Sequence, residues 1–169
     1  MNPGILPSLI VFDLDFTLWD CGGLWVDCAR YPFRKLPDRR VVDGNDRHLR
    51  FYQEVPDILD EIEKLGCETA LASRTEKPGW ARELLGFLGR SNHFDYDEIY
   101  PGSKIAHFES LKKRTGIEWN RMLFFDDEPR NIEEVGRLGV TCVEVRGGMD
   151  LELFREGLVS FSENCDKKI

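Results

Sequence analysis

The sequence predicts an α/β fold, a doubly wound parallel sheet with helices on both faces, and three observations support this. Five short strand-like runs, at about residues 8–12, 68–72, 97–100, 121–125 and 140–145, have the length of strands. Between them apolar residues recur three and four positions apart, the period of a helix packed on one face. Regular alternation of the two patterns marks βα units, whose right-handed crossovers generate a parallel sheet.

The first run, Ser8 to Phe12, leads into Asp13-Leu14-Asp15-Phe16-Thr17-Leu18-Trp19. Alternate side chains of a strand share a face, so Asp13 and Asp15 lie together while the chain is extended, or surround a small site once it turns. Two carboxylates that close repel, which favours a bound hard cation or a shared proton. Val55, Ile58, Leu59, Ile62 and Leu65 then form an apolar stripe that Gly66 closes. The second run ends in Leu71-Ala72-Ser73-Arg74-Thr75, and the third precedes Pro101-Gly102-Ser103-Lys104, where a helix opens. The fourth, Met122 to Phe125, ends in Asp126-Asp127, after which Pro129 starts a helix carrying Ile132, Val135 and Leu138 before Gly139. Beyond the fifth, Leu151, Phe154, Leu158 and Phe161 mark a last helix covering the core, and a polar tail occupies 162–169.

Parallel sheets bind ligands at the C-terminal ends of their strands. If the first and fourth strands are neighbours, Asp13, Asp15, Asp126 and Asp127 converge, and four carboxylates at one spot call for a counter-cation; an all-oxygen set suits Mg²⁺. Taken singly, each acidic pair reads as well as a solvated strand end or helix cap, Ser73 as a cap, and Lys104 as a surface residue. The ordered set is far more specific than any member.

The wording FDLDFTLW, ASRT, YPGSK and FFDDEPRN resembles the haloacid dehalogenase superfamily of phosphotransferases over about residues 8 to 146, and is most similar to its magnesium-dependent phosphatase-1 group. The resemblance implies a Rossmann-like, HAD-like core with no large cap domain. It further implies that Asp13 is a nucleophile forming an aspartyl-phosphate, and that Asp15 protonates the leaving group and then activates water. Mg²⁺ would be held by the Asp13 and Asp126 side chains and the Asp15 carbonyl, with Asp127 holding metal-bound water or orienting Lys104. Ser73 and Lys104 would bind the phosphate, with Arg74 as a further substrate contact. Asp15 is a residue that dehalogenases and phosphonatases of the superfamily generally lack, which favours phosphate ester hydrolysis. Phe16 departs from the superfamily pattern, where many relatives carry Gly; a ring here narrows the entrance.

At 169 residues and 41% hydrophobic content, one domain with a substantial core is expected over 1–169. The net charge of -8, from 23 Lys and Arg against 31 Asp and Glu, argues against general nucleic-acid or anionic-membrane binding. No apolar run approaches membrane-spanning length, and MNPGILPSLIVF lacks the pattern of a signal peptide. Cys21, Cys28, Cys67, Cys142 and Cys165 form no CxxC pair and are odd in number, so a reduced, cytoplasmic setting is expected. None fits a thiol-phosphatase loop or a zinc site, and His48, His93 and His107 are assigned no catalytic role.

Residues 19–52 have no sustained period and interrupt the first crossover, which suggests a flap. From Arg30 to Arg50 the segment holds Arg30, Arg34, Lys35, Arg39, Arg40, Arg47 and Arg50 against Asp38, Asp43 and Asp46, a balance opposite to that of the whole chain. These cations are expected to attract an anionic substrate, and Trp19, Trp25, Tyr31 and Phe33 to flank its leaving group; a solvated loop whose aromatics pack on the core is the other reading. The expected activity is Mg²⁺-dependent phosphomonoester hydrolysis by a monomer, on phosphotyrosine-type protein or aryl phosphates or on sugar phosphates. A phosphotransferase or mutase of the same fold, or a non-catalytic phospho-ligand module, are the alternatives.

Overall fold

Residues 4–167 are described by the structure, a computed structural model. The elements in chain order are β1 (Leu9–Phe12), β2 (Trp19–Asp20), β3 (Arg34–Lys35), β4 (Val41–Val42), β5 (His48–Phe51), α1 (Val55–Leu65), β6 (Glu68–Ser73), α2 (Pro78–Phe87), β7 (Tyr96–Ile99), α3 (Lys104–Thr115), β8 (Met122–Asp126), α4 (Pro129–Gly136), β9 (Thr141–Glu144) and α5 (Leu151–Asp166). Five of the strands form a parallel sheet in the order β7-β6-β1-β8-β9. From β1 the chain winds outward through β6 and β7, then crosses back to place β8 on the other flank. The reversal opens a crevice between β1 and β8 at their C-terminal ends, the place where such sheets bind ligands.

Every residue of β1 is fully buried, as a strand covered on both faces requires. Its alternation divides the core: Ile10 and Phe12 join the layer of α1, α2 and α5, while Leu9 and Val11 pack with Phe108, Leu111 and Val135 from α3 and α4. The stripe read on α1 is buried at Val55, Ile58, Leu59 and Ile62, and Gly66 ends the helix with φ 71°, a conformation suited to glycine. Helix α3 begins where Ser103 Oγ accepts from the Ile105 N–H at 3.1 Å, which puts Lys104 in its first turn.

The segment 19–52 differs from the irregular loop expected. Its strands form a small antiparallel sheet in the order β2-β5-β4-β3, with Trp19 opposite Phe51 and Val41 opposite Leu49. Strands of two to four residues are too short to print a period on the sequence. The insert is held by Asp43, whose carboxylate accepts from the N–H groups of Arg30, Asn45 and Arg47 at 2.9–3.0 Å. It docks on α2, where Tyr31 stacks on Trp80 at 5.1 Å and Phe33 meets the same ring edge-on.

The polar tail expected over 162–169 is helical as far as Asp166, and two of its polar groups have partners. Ser162 Oγ accepts from the Ile5 N–H and Asn164 Nδ2 donates to Thr141 Oγ1. Residues 168 and 169 of that tail, and residues 1–3 of the N-terminal reading, lie outside the described residues. Among the described residues no helix is long and apolar enough to cross a membrane.

Candidate active site

The Asp13 N–H donates to Phe125 O at 3.0 Å, so the ladder between β1 and β8 extends one residue past β1 and draws Asp13 to the level of Asp126. The chain then turns: the Thr17 and Leu18 N–H groups both bond to Leu14 O, and Phe16 takes a left-handed φ of 60°. That backbone conformation explains why glycine suits this position; here a 2.7 Å bond from Phe16 N–H to Trp19 O supports the strained residue. The turn lets Thr17 Oγ1 donate to Asp13 Oδ2 at 3.2 Å.

Lys104 enters from α3, 1% exposed, and donates to Asp13 Oδ1 at 2.9 Å and to Ala72 O, with Asp126 Oδ2 at 3.1 Å. Desolvation pulls its pKa down, but Asp13 and Asp126 outweigh burial and hold it above the ordinary lysine value, so the site contains a buried cation. Asp126 also accepts from the Glu128 N–H at 2.8 Å and from Asn131 Nδ2 at 3.0 Å. Of the two roles expected for Asp127, orienting Lys104 falls to Asp13, Asp126 and Ala72.

Carboxylate oxygens of Asp13, Asp126 and Asp127 all lie within 4.8 Å of one another. Burial, reinforced by Asp13, raises Asp126 to about 6 and Asp127 to about 8. Three carboxylates against one lysine leave the cluster short of positive charge, and a hard divalent cation fits both the deficit and the all-oxygen donor set.

Asp15 sits in a different environment. Its Oδ1 accepts from Trp19 Nε1 at 2.9 Å and from the Val26 N–H at 2.8 Å, yet burial prevails and lifts its pKa to about 7. Ser73 Oγ accepts from the Thr75 N–H at 3.3 Å, forming a turn after β6 where a helix cap was the alternative; α2 begins only at Pro78. Behind it His107 is fully buried, its Nε2 facing Ser73 O and Tyr100 O and its Nδ1 facing Ser103 O, a packing role that ties β6 to α3. Arg74 donates to Asn131 Oδ1 at 3.3 Å.

Asp13, Asp15, Ser73, Arg74, Lys104 and Asp127 line one cavity of about 510 Å³, while Asp126 is fully buried behind it. The structure thus gathers all the predicted site residues. It also corrects the reading of the insert. None of its Lys or Arg residues lines the cavity, whose cations are Arg74, Lys77 and Lys104; of its aromatics only Trp25 does. Trp19 is buried on Asp15, and Tyr31 and Phe33 are engaged by Trp80. Thr17 and Asn131 escaped notice as supports, although both stand inside the quoted motifs, one turn from the aspartates they hold.

A family model described as acid phosphatase matches residues 5–164. Magnesium-dependent phosphatase 1 of Homo sapiens is 46% identical over 159 residues, which cover 94% of this chain and 89% of that protein. A HAD-like hydrolase superfamily protein of Schizosaccharomyces pombe is 36% identical over 82% of this chain and 85% of its own length. Two solved structures share the fold at low identity. A HAD family enzyme of Bacteroides thetaiotaomicron, in complex with magnesium and inorganic phosphate, has a TM-score of 0.62 at 12% identity, covering 86% of this chain and 97% of that one. L-2-haloacid dehalogenase of Xanthobacter autotrophicus has a TM-score of 0.62 at 13%, covering 96% and 88%. The family match spans every residue of the cavity, and the chain therefore belongs to the acid phosphatase family of the haloacid dehalogenase superfamily, in its magnesium-dependent phosphatase-1 group.

Proposed function

We propose that this phosphatase is a Mg²⁺-dependent phosphomonoester hydrolase working through an aspartyl-phosphate on Asp13. The observation that carries the reading is a pair of carboxylates in one cavity with opposed environments. Asp13 is ion-paired with Lys104 at 2.9 Å, which presents its carboxyl oxygen as a nucleophile, whereas burial lifts Asp15 to about 7, where it can both give and take a proton near neutral pH. In the first step an Asp13 oxygen attacks phosphorus in line, the ester P–O bond breaks, and Asp15 gives its proton to the leaving oxygen. In the second, Asp15 takes a proton from the water that attacks phosphorus, and Asp13 leaves as the carboxylate.

Lys104 and Thr17 hold the two Asp13 oxygens and fix the plane of the nucleophile. Asp13, Asp126 and the Asp15 carbonyl would hold Mg²⁺, with Asp127 supporting it, and the ion supplies charge neutralisation for the phosphoryl oxygens. Ser73 and Arg74 are read as further phosphate and substrate contacts. Substrate selection is assigned to Trp25, 53% exposed at the cavity and backed edge-on by Phe16 at 6.0 Å. A flat apolar face beside an uncapped site suits an aryl leaving group, such as a phosphotyrosine side chain, or the face of a phosphosugar. We further read residues 1–169 as one domain, and the five unpaired cysteines as supporting a reduced, cytoplasmic setting.

The test is hydrolysis of p-nitrophenyl phosphate in Mg²⁺ by the wild-type chain and Asp13→Asn, with radiolabelled phosphate trapped on acid-quenched enzyme. Label on the wild type alone, with activity lost in the variant, is expected. Equal turnover by both would remove Asp13 as the nucleophile.

A further inference from the structure

Trp19 is fully buried, and its indole N–H, the only donor on that ring, goes to Asp15 Oδ1 at 2.9 Å. The Val26 N–H reaches the same oxygen at 2.8 Å. Both donors belong to the insert, and both residues are fully buried. The Trp19 ring stacks on Phe51 across the β2–β5 pair at 6.1 Å, and its carbonyl accepts the Phe16 N–H at 2.7 Å. Two donors on one oxygen stop the Asp15 carboxyl from rotating about its terminal torsion. Its other oxygen, Oδ2, has no protein partner among the described residues, and Asp15 lines the cavity.

We propose that Trp19 is a positioning residue that, with the Val26 N–H, clamps Asp15 Oδ1 so that Oδ2 faces the leaving oxygen. The insert thereby serves the chemistry through a hydrogen bond to the acid, at a place where none of its arginines reaches the cavity. This rests on the reading of Asp15 as general acid. A purely structural account is that a buried indole needs some acceptor and Asp15 happens to be near. The two accounts differ in what the N–H does for leaving-group protonation.

The experiment replaces Trp19 with Phe, which keeps a ring for Phe51, and separately with benzothienylalanine, which keeps the bicyclic shape and puts sulfur where the N–H was. If Trp19→Phe fails to fold, the isostere carries the test. In saturating Mg²⁺, kcat/KM is compared for phenyl phosphate, whose leaving group needs a proton, and p-nitrophenyl phosphate, whose leaving group needs one far less. The expected result is a loss of about tenfold on phenyl phosphate with a change under about twofold on p-nitrophenyl phosphate. Equal losses on both substrates, or no loss on either, would overturn the proposal. Asp15→Asn is run alongside. If it discriminates between the substrates while the Trp19 variants do not, the clamp alone is wrong; if it loses both alike, the general-acid reading falls and the clamp with it.

Discussion

Lys104 holds Asp13 at 2.9 Å and Asp126 at 3.1 Å from within the protein, so its charge is a structural component of the cluster as well as part of the proposed chemistry. Substituting Lys104→Met leaves Asp13, Asp126 and Asp127 with no buried cation. We expect a stability loss of about 3 kcal/mol in chelator, partly recovered by Mg²⁺, and an activity loss of about 100-fold or more, read by thermal melts and phosphate release. The aspartates make the metal-free protein pH-sensitive. Asp126, Asp15 and Asp127 titrate near 6, 7 and 8 when folded, against 3.8 for the ordinary side chain. The native state therefore binds protons that the unfolded chain has released, and the stability from these groups, complete below their unfolded pKa, is lost as pH rises through the folded values. In chelator Tm should fall from about pH 5 to about pH 8, and Mg²⁺, by displacing the protons of Asp126 and Asp127, should lessen the decline. A metal-free Tm that climbed over that interval would refute this account.

At the scale of elements, the insert is a folded wall set against the core. Asp43, fully buried, satisfies the backbone N–H groups of Arg30, Asn45 and Arg47, and these bonds hold its carboxyl below the ordinary value despite burial. An Asp43→Ala change leaves three donors without their acceptor, for an expected cost of about 2–4 kcal/mol in urea unfolding. Because that pKa is depressed on folding, the Asp43 contribution is present above the unfolded value and disappears as pH falls through the folded one. If Val26 and Trp19 are displaced with the insert, kcat should drop while the Asp13–Lys104 pair stays intact. Undisturbed kcat in a variant with a loosened insert would separate the wall from the chemistry.

For the whole molecule, the packing of α5 on β8 determines how the central strands sit. Gly157 on α5 has no room for a side chain, since a Cβ there would come within 2.5 Å of the Phe125 ring. Phe125 immediately precedes Asp126 and stacks on Phe12, which immediately precedes Asp13. Gly157→Ala should therefore cost about 1–3 kcal/mol by overpacking and lower activity as well, although Gly157 lies outside the cavity; thermal melts and kcat on one preparation check both effects. An alanine variant with unchanged Tm would mean the helix can move away without disturbing β8.

The five parallel strands, the helices between them and the set Asp13, Asp15, Ser73, Arg74, Lys104, Asp126 and Asp127 were legible in the sequence by itself. Long buried strands must be apolar throughout, amphipathic helices must repeat near 3.6 residues, and catalytic groups must stand where strands end. The insert was not legible as a sheet, because strands of two to four residues carry no period and their pairing is set by contacts such as Trp19 with Phe51. Nor could charge and aromatic content assign its residues. Arg30 to Arg50 suggested a basic lining and Trp19 a substrate contact, and only tertiary structure turned those arginines away from the cavity and the Trp19 indole onto Asp15. Local chemistry is written in residue type and spacing. Which groups meet across the chain, and hence which charges are buried together and which donors face which oxygen, depends on how the insert and the sheet pack.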